Sequence, residues 1–174
     1  MNEDIFYKQP VDIINDIPIF SDINEEYILN YEKISSDHLK AINQGCENPF
    51  IDNELWEEME NSTLELIVKY LEKFRHQEKI KILDVGVGMG RLLEKLKNKV
   101  DKSYDLELHG LDISLGYLKE AKKKNINVIF SKIEDIPYKR NFFDIIICTD
   151  VLEHVFDLNL AIKNVLSVLE TGGY

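Results

Sequence analysis

The sequence predicts an α/β fold, a doubly wound parallel sheet preceded by helices. Three observations carry this reading. From residue 79 onward, short apolar runs alternate with amphipathic stretches of helical period, the rhythm of βαβ units. One run, Ile80 to Val85, empties directly into the glycine-rich stretch Gly86-Val87-Gly88-Met89-Gly90. A later run, Phe143 to Cys148, is apolar enough to be buried on both faces, as a central parallel strand must be.

The elements follow in order. Val11 to Phe20 reads as extended around a turn, and Ser21 or Asp22 is placed to cap the helix after it. Residues 25–43 show apolar positions at Tyr27, Ile28, Tyr31, Ile34, Leu39 and Ile42, a helical period. Gly45 to Pro49 breaks that pattern. Asp52 or Asn53 would then cap a second helix, which carries Leu55, Trp56, Met59, Leu64, Ile67, Val68, Leu71 and Phe74 and ends on Lys73, Arg75 and His76. After the Ile80 strand and the glycine loop, Arg91 to Leu96 opens a helix. Leu106 to Ile113 is a second strand, and Ser114 caps a helix over 115–124. Val128 to Phe130 is a third strand and Phe143 to Cys148 a fourth. A helix over 158–169 stops at Thr171-Gly172-Gly173. Two regions result: an acidic, helical segment 1–78 and an α/β domain 79–174. A fifth strand would begin where the chain ends, so the domain reads as C-terminally incomplete. The fourth strand would then present an apolar edge open to self-association.

Bulk properties narrow the function classes. The chain has 174 residues, enough for a real core, with 44% hydrophobic and 30% charged residues. Its formal net charge of −11 repels phosphate backbones and makes nucleic acid an unexpected partner. The densest basic run, Lys119, Lys122, Lys123 and Lys124, reads as the solvated end of a helix. Cys46 and Cys148 are too few for a disulfide framework or a zinc cluster, which suits a reducing cytoplasm. No apolar run is long enough for a membrane span, and the acidic start is no secretory signal.

The chemistry concentrates at the glycine loop. A strand that ends in glycines and enters a helix brings backbone close to a ligand and offers it unpaired N–H groups. Asp112, at the end of the following strand, is placed to accept two hydrogen bonds from ribose hydroxyls; a helix cap ahead of Ser114 is its other reading. A dinucleotide fingerprint would space its glycines G-x-G-x-x-G, but here they fall at 86, 88 and 90, and Arg91 fills the place of the third. Asp84, two residues before the first glycine, suits a cationic sulfonium with an ammonium group better than a pyrophosphate.

With these residues in hand, the segment Ile82 to Gly90 resembles motif I of the class I S-adenosylmethionine-dependent methyltransferases, whose fold is Rossmann-like. His109 to Ser114, Ile133 to Tyr138, Phe142 to Val155 and Leu169 to Gly173 resemble the family's later motifs, in order. The nearest group is the one containing the ubiquinone and menaquinone biosynthesis enzymes. The resemblance implies S-adenosylmethionine as methyl donor and a small-molecule methyl acceptor. By position, Gly86 and Gly88 would let backbone approach the methionine part, with Asp84 near its ammonium group. Asp112 would hold the ribose, Ile113 would pack on adenine, Ile133 would offer its amide to adenine with Glu134 adjacent, and Thr149 would lie near the methionine end. His154 is the candidate general base. Many relatives carry an aspartate where Lys132 stands, and a lysine cannot accept the adenine hydrogen bond. The carboxylates Asp150 and Glu153 beside His154 raise a metal site, but no further histidine follows and none is expected. Tyr27, Tyr31, Phe50 and Trp56 are candidate aromatic walls if segment 1–78 acts as a lid or acceptor pocket; helix packing is their plainer reading. The rival functions are a non-catalytic S-adenosylmethionine-binding or interaction module and a nicotinamide-dependent oxidoreductase.

Overall fold

A computed structural model of the chain describes residues 3–46, 54–74 and 76–174. The elements are strands β1 (Asp12–Ile14) and β2 (Ile17–Ile19), helices α1 (Glu26–Asn43) and α2 (Glu54–Leu71), then β3 (Ile80–Val85), α3 (Arg91–Lys99), β4 (Leu106–Asp112), α4 (Leu115–Lys123), β5 (Asn127–Phe130), β6 (Ile145–Cys148) and α5 (Leu158–Val168). The strands form one sheet in the order β1-β2-β5-β4-β3-β6. All pairings are parallel except that of β1 with β2. From β3 the chain winds outward through β4 to β5, then returns to place β6 on the other side of β3. That reversal opens a crevice at the carboxyl ends of β3, β4 and β6, where open α/β sheets bind their ligands.

Alternation along β3 divides the core between the faces. Ile80 and Ile82 join Leu93 and Leu96 of α3, Leu118 of α4, Ile28 of α1 and Leu64, Ile67 and Leu71 of α2. Leu83 and Val85 face the opposite way, toward Phe143, Tyr138 and the α5 residues Ala161 and Val168. Asp84 falls on the first of these faces, above the last turn of buried aliphatics, so its carboxyl points into the helix-covered side of the crevice.

Segment 1–78 is not helical throughout. Its extended stretch is a β-hairpin whose two-residue turn, Asn15-Asp16, has left-handed backbone at both positions (φ 53° and 55°), the conformation that matches the twist of the flanking strands. The hairpin enlarges the sheet: β2 runs parallel to β5 through Ile19 and Phe130, and Ile17 is completely buried. Lys122 clamps the turn by donating to the carbonyls of Asn15 and Asp16. Lys122 also pairs with the Asp16 carboxylate, and Lys123 and Lys124 pair with Glu120 and Glu94, so three lysines of the basic run are held in ion pairs.

Two capping expectations change. α1 starts at Glu26 with no side-chain cap, so neither Ser21 nor Asp22 serves it. Asp22 closes a local turn at Asn24 instead. Ser21 donates to Asp135 and accepts from the Lys132 amide, tying the hairpin's exit to the loop after β5. Ser114 does cap α4, accepting from Tyr117 N at 3.1 Å. Asp52 and Asn53, proposed caps of α2, lie outside the described residues, as do Phe50 and Arg75. At the β6 edge, the final residue pairs in part: Ile146 N donates to Tyr174 O at 2.7 Å, and Tyr174 N donates to Asp144 O at 3.0 Å.

Candidate functional site

The floor of the crevice is the loop after β3. The amides of Gly86 and Val87 both donate to Leu111 O at the end of β4 (2.9 and 3.0 Å), which pins the loop to the neighbouring strand. Gly86 has φ +76°, and a Cβ there would collide with the Val151 side chain. Gly88 has φ +51°, and a Cβ there would meet no atom within 4 Å, so its surface faces open space.

Asp112 ties the floor to the next helix. Its Oδ2 accepts from Gly88 N at 2.9 Å and its Oδ1 from Ser114 N at 2.8 Å. The carboxyl thus makes the local contact before Ser114 that a cap would make, and it also reaches the glycine loop. Each oxygen keeps a lone pair toward the crevice. Burial pushes its pKa up to about 6, against three backbone N–H groups that favour the charged form. Asp84 is 4% exposed, and its carboxyl makes no hydrogen bond among the described residues. Burial, with the Asp112 charge adding to it, lifts its pKa to about 8. A carboxyl held neutral by burial and opening on a cavity would give up its proton more readily once the site holds a cation beside it.

Two adjoining cavities occupy the crevice. The first, about 170 Å³, is lined by Gly86, Gly88, Asp112, Ile113, Ile133, Glu134 and His154, with Tyr27 and Tyr31 from α1 opposite. The second, about 440 Å³, is lined by Asp84, the glycine loop and Thr149, with His38 of α1 and Trp56, Met59, Glu60 and Thr63 of α2. Four residues line both: Gly86, Gly88, Tyr117 and Asp150. Asp150 has left-handed backbone (φ 54°), an unusual conformation for a residue with a side chain and one that often marks a working loop.

All nine residues expected at the site from the sequence therefore line one cavity or the other. Their engagements differ. Glu134 Oε1 accepts from the backbone amide of Phe156 at 3.0 Å, so this carboxylate braces the loop after β6. Lys132 pairs with Glu25 at 2.6 Å, at the entry to α1. His154 lies exposed on the first cavity, with its ring against Tyr31 and its carbonyl accepting from Tyr27 Oη at 3.2 Å. Tyr27 and Tyr31 wall the first cavity and Trp56 the second. No cluster of three metal-ligating side chains occurs among the described residues. Sequence reasoning missed His38 and Tyr117, whose side chains meet at 2.7 Å across 79 residues of chain, a contact with no local signature.

The pattern of the methyltransferase domain matches residues 83–174. That is more than half of the chain, and it spans the glycine loop, Asp112 and the loop after β6. The chain belongs to this family, the class I S-adenosylmethionine-dependent methyltransferases. It is 35% identical over 99 residues to an uncharacterised protein of Methanocaldococcus jannaschii, covering 57% of this chain and 44% of that one. It is 32% identical over 108 residues to the ubiquinone biosynthesis O-methyltransferase of Coxiella burnetii, covering 61% of this chain and 46% of that one. The chain thus spans less than half the length of these curated relatives. Among solved structures it resembles the CurJ carbon methyltransferase (TM-score 0.62, 19% identity, 86% of this chain and 46% of that one). It also resembles a protein of Methanococcus maripaludis (TM-score 0.58, 17% identity, 88% and 64%). At these identities the likeness is one of fold.

The family's methyl donor is S-adenosylmethionine, and the residues present suit it. Asp84 would place a carboxylate beside an ammonium group, and Asp112 would offer two acceptor oxygens to a ribose. Gly88 leaves the open approach that a close-lying ligand needs.

Proposed function

We infer that this chain is the donor-binding part of a methyltransferase that moves a methyl group from S-adenosylmethionine to a small molecule. The observation that carries the reading is the pair of buried carboxyls, Asp84 and Asp112, set on either side of the Gly86–Gly88 floor where the two cavities join. The nucleoside end belongs in the first cavity, with Asp112 at the ribose and Ile113 and Ile133 at adenine. Glu134 acts there by holding the loop rather than by touching the base. The methionine end belongs in the second cavity, with Asp84 at its ammonium group and Thr149 nearby. When bound, the donor supplies a methyl group already activated by its sulfonium charge. The chain's task is then to hold donor and acceptor in line and to keep water out.

A small acceptor is supported by the net charge of −11, which opposes a polyanion. The name of the Coxiella relative favours transfer to oxygen. His154 is the imidazole that the family pattern offers as a base. A cytoplasmic setting fits two free thiols, Cys46 and Cys148, and no helix of the described residues is long and apolar enough to cross a membrane. Self-association through the β6 edge would show as a dimer in sedimentation.

Calorimetric titration with S-adenosylmethionine and with S-adenosylhomocysteine tests the donor site. Micromolar binding is expected, weakened by roughly 100-fold in Asp112→Ala, the scale of lost charge-assisted hydrogen bonds. Binding that Asp112→Ala leaves unchanged would refute this placement of the donor.

A further inference from the structure

Asp150 stands where the two cavities meet, and no hydrogen bond or ion pair engages its carboxylate among the described residues. We propose that Asp150 is the residue that tells charged donor from uncharged product, favouring S-adenosylmethionine through its sulfonium and letting S-adenosylhomocysteine go. The inference rests on the donor placement given above.

Five carboxyls of the described residues line the cavities. Asp112 and Glu134 lie on the first alone, Asp84 and Glu60 on the second alone, and Asp150 lines both. Glu134 is taken up by the Phe156 amide and Glu60 by Lys95. The donor's two ends occupy different cavities, so the sulfur that joins them belongs at the junction. Gly86 and Gly88 offer only backbone there. Burial, with the Asp112 charge adding to it, lifts the Tyr117 hydroxyl to about 12, so that side chain stays neutral. Asp150 is the junction residue that ends in a carboxylate.

The backbone fixes its position. Asp150 is in left-handed conformation, and the next residue, Val151, lies so close to Gly86 that any side chain there would collide with it. The loop after β6 is therefore seated on the glycine floor directly beside Asp150. Val151 O accepts from His154 N at 2.9 Å, and His154 O accepts from Tyr27 Oη at 3.2 Å, which holds the loop from its far side. Aspartate tolerates left-handed backbone better than most residues, so the turn alone could account for it. Charge separates the two roles, because asparagine and glycine accept the same backbone without a carboxylate.

The reaction changes the charge at this point. A lone pair of the acceptor forms the bond to the methyl carbon as the carbon–sulfur bond breaks. The electron pair of the broken bond stays on sulfur, and any proton displaced from the acceptor passes to water. What remains in the site is an uncharged thioether. A carboxylate beside it loses its Coulomb attraction at that step, so one residue both draws in the donor and eases exchange of the product. Asp150 is exposed, and solvent screening limits the preference to a several-fold effect.

Calorimetric titrations of the full chain with three ligands read this preference. They are S-adenosylmethionine, S-adenosylhomocysteine and sinefungin, in which an amine-bearing carbon replaces the methylated sulfur. Asp150→Asn is expected to weaken S-adenosylmethionine and sinefungin by roughly three- to tenfold and to leave S-adenosylhomocysteine within about twofold. Asp150→Gly should behave alike, with the urea midpoints of both variants near that of the parent. The loss for the two cations should shrink as salt is raised. Equal weakening of all three ligands would overturn the proposal, since it marks a misshapen loop. So would unchanged affinity for all three, which leaves Asp150 serving the turn alone. Failure of the parent chain to bind any of the three would sink the donor placement, and this proposal with it.

Discussion

The two halves of this molecule meet the crevice by different physical means. The half from Ile80 onward builds its part locally. The strand, loop and helix that hold Asp84, Gly86 and Gly88 are contiguous, and Asp112 reaches the loop across one neighbouring strand. The N-terminal half builds its part at long range. Its hairpin extends the sheet beyond β5, and α1 closes over α4 by side-chain pairs such as Ser35–Ser114 that join residues 79 positions apart. A short glycine motif thus suffices to lay down a donor floor, whereas the opposing wall exists only when the whole fold is complete. A family would keep such a floor while its walls vary, which agrees with relatives that transfer to oxygen and to carbon on one architecture.

If the N-terminal half is truly part of the fold, its buried residues must matter to the whole. Ile17→Ala empties a fully buried site between the hairpin and the helices. We expect a loss of roughly 2–5 kcal/mol in a single cooperative transition, as for other large-to-small core changes. Urea unfolding followed by circular dichroism would measure it. A separate early transition, with the main one unmoved, would show the hairpin to be an appendage.

The floor can be tested through its unusual acid. With a pKa lifted to about 8, Asp84 holds its proton at neutral pH in the free protein. A cationic ligand favours the carboxylate, so donor binding near pH 7 should release on the order of one proton, and affinity should rise with pH up to about 8 and then level. Titrations in buffers of different ionisation heat would count the proton. Asp84→Asn should abolish the release and weaken binding by about 10- to 100-fold. The same shift has a stability consequence. The unfolded carboxyl titrates near pH ~4 while the folded one keeps its proton, so the unliganded chain should lose stability as pH rises from about 4 through 8.

These contrasts explain what was legible in the sequence. The strand–glycine–helix unit, the cap at Ser114, the alternation of α/β elements and the turn within Val11 to Phe20 all rest on near-neighbour chemistry, and all could be read. What could not be read depends on pairs distant in sequence. The single Ile19–Phe130 pairing that admits the hairpin to the sheet has no local sign. Ser21 precedes a helix and looks like its cap, yet it bonds the Lys132 amide 111 residues away. His38 sits on a helix face that any amphipathic pattern would have left unremarked, and it meets Tyr117 only because of where α1 lies.

Ser114 lies on the seam between the halves, since it caps α4 and also bonds Ser35. Ser114→Ala removes both contacts and should cost about 1 kcal/mol for the cap plus a smaller amount for the lost bond to Ser35, whose hydroxyl keeps Glu32 O as its acceptor. Ser35→Ala alone should cost less than Ser114→Ala. Equal costs would mean that the cap contributes nothing and that the seam contributes everything.

The smallest effect is expected where the halves touch through exposed charge. Lys132 stands where many relatives are expected to have an acid, and it reaches Glu25 at 2.6 Å, with its side chain 22% exposed and that of Glu25 36%. A pair this accessible to solvent and salt contributes little, on the order of 0.2–1 kcal/mol. Glu25→Gln should therefore lower stability only slightly, and the difference should vanish in concentrated salt. Its effect on S-adenosylhomocysteine affinity separates two roles for the lysine. If Lys132 only latches α1 to the loop after β5, affinity should stay within about twofold in Glu25→Gln. A larger change would mean that the latch sets the shape of the adenine end. The N-terminal half would then take part in binding the donor as well as in walling the crevice.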